Sequence, residues 1–170
     1  TFGYVGNALY SPFNGANYGY TSFLNGVTIG STGLSYALST TSYGELVTVT
    51  YPYGGQLAWS YANMVYPGSR TQREVGWRGL TATAGGTQRG FGFVRDAAPN
   101  PVHATTLVDD YTGGGEKAYW VSTAGGTVGL VTAHEKRTWP DHAARTRDEY
   151  TWTQQPASGN WYIGTVVNKL

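Results

Sequence analysis

The chain has no cysteine, so no disulfide staples it and no thiolate can bind a metal. That is unusual for a secreted eukaryotic domain and ordinary for an exported bacterial one. Charge is also scarce. Asp, Glu, Lys and Arg make up 12% of the residues, roughly half the ~25% of an average soluble domain. The net charge of +1 leaves no electrostatic footprint for nucleic acid or for an anionic membrane surface. No apolar run approaches the length of a spanning helix, so no membrane span is expected. No Asn-x-Ser/Thr acceptor occurs, and the chain begins at Thr1 without Met or a leader. It is therefore expected to be a processed or excised piece of something longer. Good helix formers are few as well, because Glu, Lys and Leu are thinly spread while glycine is abundant.

What is present points the other way. Glycine stands at 25, tyrosine at 14 and tryptophan at 6, and Tyr, Thr, Val and Trp suit a pleated, half-buried surface. The length of 170 residues is that of one domain with room for a core. The fold class expected is all-β: a multi-stranded antiparallel sheet or sandwich of about ten strands, with few or no helices.

The clearest local signal is Gly44–Tyr61. Leu46, Val47, Val49 and Tyr51 form a β-branched and aromatic run, and Pro52-Tyr53-Gly54-Gly55 punctuates it. Leu57, Trp59 and Tyr61 then alternate with Gln56, Ala58 and Ser60, the period of a strand with one buried face. This predicts a hairpin held by Glu45, Tyr51, Tyr53, Gly54, Gly55, Trp59 and Tyr61.

Residues 1–33 are read as a separate aromatic and glycine-rich segment, made of turns and short extended pieces, preceding a β-rich domain over 34–170. Phe2, Tyr4, Tyr10, Phe13, Tyr18, Tyr20 and Phe23 crowd into it. So many rings pack on a sheet or form a contact surface. Beyond the hairpin, strands are expected at 34–39, 72–83, 89–95, 102–108, 117–123, 128–139, 146–154 and 161–167. Their separators are Gly85-Gly86, Pro99-Asn100-Pro101, Gly113-Gly114-Gly115, Gly125-Gly126 and Pro156–Asn160. The one candidate helix, Asp141–Asp148 after Pro140, is short and polar and fits a turn or loop better.

Several motifs suggest chemistry. Arg89-Gly90-Phe91-Gly92-Phe93-Val94 fits six positions of the base-stacking octapeptide of RNA-recognition domains. Asp96 stands where the last aromatic should, and no amphipathic helix joins the octapeptide to its upstream counterpart at Tyr4–Leu9. No nucleic-acid partner is expected, and Phe91 and Phe93 are read as core-facing. His103, His134 and His142 are scattered. The His134-Glu135 and Asp141-His142 pairs lack the spacing of a metal site. No Gly-x-Ser-x-Gly elbow marks a hydrolase nucleophile. Glu45, Glu74 and Glu149 are the carboxylates a small jelly-roll glycoside hydrolase would need, but each sits beside a turn or basic residues. Trp59, Trp77, Trp120, Trp139, Trp152 and Trp161 could stack on sugars if exposed on one face, which keeps a carbohydrate-binding module in view.

The central hairpin also carries a resemblance. Gly44-Glu45-Leu46-x-x-Val49-Thr50-x-Pro52-x-Gly54-Gly55, closing with Trp59-x-Tyr61, resembles the strand-turn-strand unit of the RHS/YD-repeat family of bacterial secreted and surface proteins. Tyr150-Thr151-Trp152-Thr153 followed by Gly159-Asn160 is similar to the latter half of that unit. Here Trp152 replaces the second Tyr and the following Asp is missing, so the chain would be a degenerate member or fragment. The resemblance implies a strand-rich scaffold that winds into a shell, a filament or an adhesive surface, with no catalytic residue and no cofactor carried over. The expected function is a non-enzymatic extracellular structural or interaction module. Its partners would be copies of itself or a longer parent chain, joined by strand pairing, with polysaccharide as the alternative ligand.

Overall fold

The computed structural model describes residues 1–97 and 101–169. Pro99 and Asn100 of the expected separator lie outside the described residues. Twelve strands follow one another: β1 (Phe2–Tyr10), β2 (Asn17–Thr28), β3 (Ser35–Thr40), β4 (Leu46–Thr50), β5 (Gln56–Tyr66), β6 (Arg70–Thr81), β7 (Gln88–Arg95), β8 (Thr105–Asp110), β9 (Gly115–Val121), β10 (Val131–Thr138), β11 (Ala144–Gln154) and β12 (Trp161–Lys169). They make one antiparallel sheet whose spatial order is the chain order. Short turns can join strands only antiparallel, so a chain punctuated by glycine every eight to twelve residues folds as a meander. The helical parts among the described residues are two single 3₁₀ turns, Pro67–Ser69 and Gly125–Thr127.

The all-β expectation is met, and ten of the strands lie where the sequence puts them. The other two are β1 and β2, in the segment expected to hold only turns and short pieces. They form a long hairpin, nine residues against twelve. Its glycines and asparagines imitate turn signals but sit inside strands. Register shifts at Gly3/Tyr4 and Leu9/Tyr10 absorb the irregularity. The Tyr20 ring lies over Gly6, where a Cβ would come within 2.5 Å of its Cε1. An aromatic laid over a strand glycine restores the packing that the missing side chain forfeits. Trp77 covers Gly90 and Tyr111 covers Gly92 in the same way. At Asp141–Asp148 there is no helix: Trp139–Asp141 is a turn, and β11 begins at Ala144.

The chain divides into two compact units, Thr1–Asn63 with Arg73–Gly90 and Met64–Gln72 with Phe91–Leu170. In the first unit no apolar side chain is buried; the residues that are buried there are Ser11, Gly55, Gly79 and Gly90. Its order comes from ladders and from local contacts. Tyr36 and Tyr51 meet edge-to-face at 5.8 Å, and Tyr61 Oη donates to the Leu46 carbonyl at 2.8 Å. Among the described residues of the second unit, Tyr66, Ala118 and Ala133 are the buried apolar ones, alongside three carboxylates, Asp109, Glu116 and Glu135. An ordinary sheet buries one face under a second layer. Here every described strand belongs to the single sheet.

Candidate functional site

The expected hairpin forms as β4 and β5, with Thr48 opposite Ala58, Val49 opposite Leu57 and Thr50 opposite Gln56. Its turn closes by Tyr51 N–H to Gly55 O at 2.8 Å and Gly54 N–H to Tyr51 O at 2.9 Å. Gly54 adopts φ +82°, and a Cβ there would meet Ala84 Cβ at 2.6 Å. Only glycine fits on both counts. Leu57, Trp59 and Tyr61 are half-buried on one face, while Tyr53 stands 79% exposed at the turn. Glu45 takes a two-pronged ion pair from Arg73, Nε to Oε1 at 2.5 Å and Nη2 to Oε2 at 2.8 Å. That hydrogen bond raises the Arg73 pKa above its usual value, though burial works the other way. Burial, followed by the Glu45 charge, raises the Tyr61 phenol, and Arg73 partly offsets them. Glu45 is thus committed to holding β6 in place.

In the N-terminal hairpin, Tyr4 pairs with Leu24 and Ala8 with Tyr20. Alternation therefore sets Phe2, Tyr4 and Tyr20 on one face, with Tyr18 at the bulge beside them. All four are more than 60% exposed. Phe13 is exposed at the hairpin turn, whereas Tyr10 and Phe23 are half-buried. Residues 1–44 carry no charged side chain, so this face is aromatic and neutral. The tryptophans behave differently. Trp59, Trp77, Trp120, Trp152 and Trp161 are half-buried, and Trp139 alone is exposed. Trp152 Nε1 donates to Val131 O at 2.7 Å.

The second unit holds a ladder of charge that the sequence reading missed. Asp109 on β8 pairs with Glu116 on β9, and Glu116 with Arg137 on β10. Glu135 pairs with Arg147 on β11. All lie on one face. Arg137 reaches Glu116 at 3.2 Å and Glu135 at 2.7 Å, and Arg147 reaches Glu135 at 2.6 Å and Glu149 at 2.8 Å. Lys169 on β12 closes the run at 2.6 Å from Glu149. Trp120 lies under both guanidiniums, 5.4 Å from Arg137 and 4.5 Å from Arg147. Burial pushes the Glu135 carboxyl up, but hydrogen bonds from Arg147 and Arg137 outweigh it and hold it below the usual range. Lys169 and then Arg147 lower Glu149.

At the head of the ladder two acids face each other. Asp109 Oδ1 is buried with no nitrogen or hydroxyl donor, and Glu116 is fully enclosed, taking His142 Nδ1 at 2.7 Å. Burial first, then the hydrogen bond and charge of Glu116, raise the Asp109 pKa, while His142 lowers it. The raised pKa favours the neutral, protonated form of Asp109. The missed signal was legible in part. A tight loop at Tyr111–Gly114 places Asp109 opposite Glu116, so the acid pair follows from the hairpin register.

The histidines do not converge. His142 joins Glu116, whereas His134 points to the opposite face, 3.5 Å from Asp148 and stacked on Tyr119 at 5.2 Å. His103 bonds Asp96 at 2.9 Å and lies against Tyr66. The His103 and His134 side chains are only 10% and 17% exposed. Among the described residues no group of three His, Asp or Glu side chains is arranged to hold a metal. Among them, too, no helix is long and apolar enough to cross a membrane. Phe91 and Phe93 are half-buried, with Arg95 lying 5.5 Å from the Phe93 ring.

The remaining feature is the pair of terminal strands. Among the described residues the strand order puts β1, beside β2, at one end and β12, beside β11, at the other. Tyr10 N–H donates to Ser42 O at 2.8 Å, which covers that end of β1. β12 is exposed along all but its first residue, with Tyr162, Ile163, Val166 and Val167 open to solvent. No protein-family model, curated protein or solved structure matches the chain.

Proposed function

We propose that this chain is a non-enzymatic structural and interaction module of a bacterial secreted or surface protein. It works through strand pairing with copies of itself or within a longer RHS/YD-like β-scaffold, as part of a shell, a filament or an adhesive surface. The observation that carries this reading is the one antiparallel sheet with a terminal strand at each end and, among the described residues, almost no buried apolar side chain. A sheet in that condition leaves both its apolar surface and its terminal backbone groups unsatisfied, and either is relieved by adding strands. The absence of cysteine and the resemblance at Gly44–Tyr61 support the bacterial and RHS/YD parts. Glu45 and Glu149 are held in ion pairs, which favours a structural over a hydrolytic use. Sedimentation velocity across a concentration series tests the reading. Association that grows with concentration is expected, and a monodisperse monomer at high concentration would overturn it.

A second reading rests on the neutral aromatic face of the first hairpin. Tyr20 lies over Gly6 and is 79% exposed, which leaves most of the ring open, as stacking on a sugar requires. Binding of a neutral polysaccharide, read by affinity electrophoresis and lost in Tyr20→Ala, would favour a carbohydrate-binding module.

A further inference from the structure

Resting on the self-association reading, we propose a specific joint: the free edge of β12 in one copy pairs antiparallel with the free edge of β1 in the next. The free part of β1 runs from Phe2 to Leu9, because Tyr10 already donates to Ser42. Set against Lys169–Tyr162, it places Tyr4 opposite Val167, Val5 opposite Val166, Ala8 opposite Ile163 and Leu9 opposite Tyr162. Gly6 then faces Thr165, Asn7 faces Gly164 and Gly3 faces Asn168. Apart from Phe2 opposite Lys169 at the end, apolar residues meet apolar ones and small residues meet polar ones on both faces, the pattern that stabilises a cross-strand pair.

The alternatives match less well. Overlap of the free part of β1 with that of a second β1 sets Val5 against Gly6 and Tyr4 against Asn7. Full overlap of β12 with a second β12 sets Val166 against Gly164 and Tyr162 against Asn168. Charge does not oppose the joint. β1 carries no charged side chain, and the cation of β12, Lys169, is engaged by Glu149. Val5, Val166, Val167, Tyr4, Tyr162 and Ile163 are all at least 45% exposed, so the surfaces to be joined are open. Because the two edges differ, the contact is head-to-tail and continues from copy to copy, closing into a ring or extending as a filament.

The absence of cysteine makes the joint directly readable. Val5→Cys and Val166→Cys copies are prepared separately, checked for the parent circular dichroism spectrum, and oxidised mildly alone and as an equal mixture. The joint predicts disulfide-linked dimers in the mixture, about tenfold over either variant alone, since opposed Cβ atoms across an antiparallel pair are within bonding reach. Leu9→Cys with Tyr162→Cys tests the same register if the first pair folds poorly. Dimers from Val5→Cys alone or Val166→Cys alone would overturn the joint in favour of a two-fold contact. No cross-link in either mixture, with a parent chain that still sediments as an oligomer, would overturn the joint and leave self-association standing. A monomeric parent would remove both.

Discussion

Asp109 is where a single residue has the clearest measurable consequence. A carboxyl buried against Glu116 resists ionising, for burial and for like charge. Its folded pKa is raised, so its contribution to stability is complete below the unfolded value of about 3.9 and is lost as pH rises through the folded value. Asp109→Asn keeps the shape, supplies an N–H to Glu116 and removes the titration. At neutral pH it should stabilise the chain by about 1 kcal/mol, with the gain shrinking toward acid pH. Thermal melts of both proteins across the acid-to-neutral range check this, and a variant less stable than the parent at neutral pH would contradict an Asp109 carboxyl strained by ionisation. Glu135 has the opposite linkage. Its pKa is held down by Arg147 and Arg137 against its own burial, so its contribution is present above about 4.3 and fades as pH falls through the folded value. Together the two acids place opposing slopes on one ladder.

At the scale of elements, the β4–β5 hairpin was legible because three independent signals coincide there: a β-branched run, a Pro-Tyr-Gly-Gly turn and a strict alternation. Gly54 is the hinge of that agreement. Gly54→Ala would place a side chain at φ +82° and against Ala84, and should cost about 1–3 kcal/mol, read by denaturant unfolding. A neutral result would mean the turn is not what fixes β4 on β5. The strands after Leu34 were legible for the same reason, each bounded by glycine or proline. The N-terminal hairpin was not. Gly6 reads as a break in one dimension, and only its cross-strand neighbourhood with Tyr20 turns it into a strand position. The acid pair was hidden likewise. Asp109 and Glu116 look like solvated turn residues until the register sets them face to face. Sequence alternation exposes which face a residue takes, whereas partners arise from register, which single-sequence patterns leave open.

For the whole molecule the question is what replaces a core. With no apolar side chain buried in the first unit and three among the described residues of the second, intramolecular burial contributes little, while aromatic and β-branched side chains remain open to solvent. Each large apolar side chain fully covered is worth about 1.5–3 kcal/mol, so joining copies can supply what a second layer would. Stability should then depend on mass action. Each tenfold rise in protein concentration, acting on a partner bound only by the folded chain, adds about 1.4 kcal/mol. For a chain of this length that corresponds to a Tm rise of about 3–6 °C per decade. Calorimetry or circular dichroism melts over two decades of concentration measure it directly. A Tm independent of concentration would mean that ladder hydrogen bonds, aromatic lids over glycines and the charge ladder suffice alone. The single sheet would then be a self-sufficient fold, and its open edges would have to be protected by their own twist or side chains.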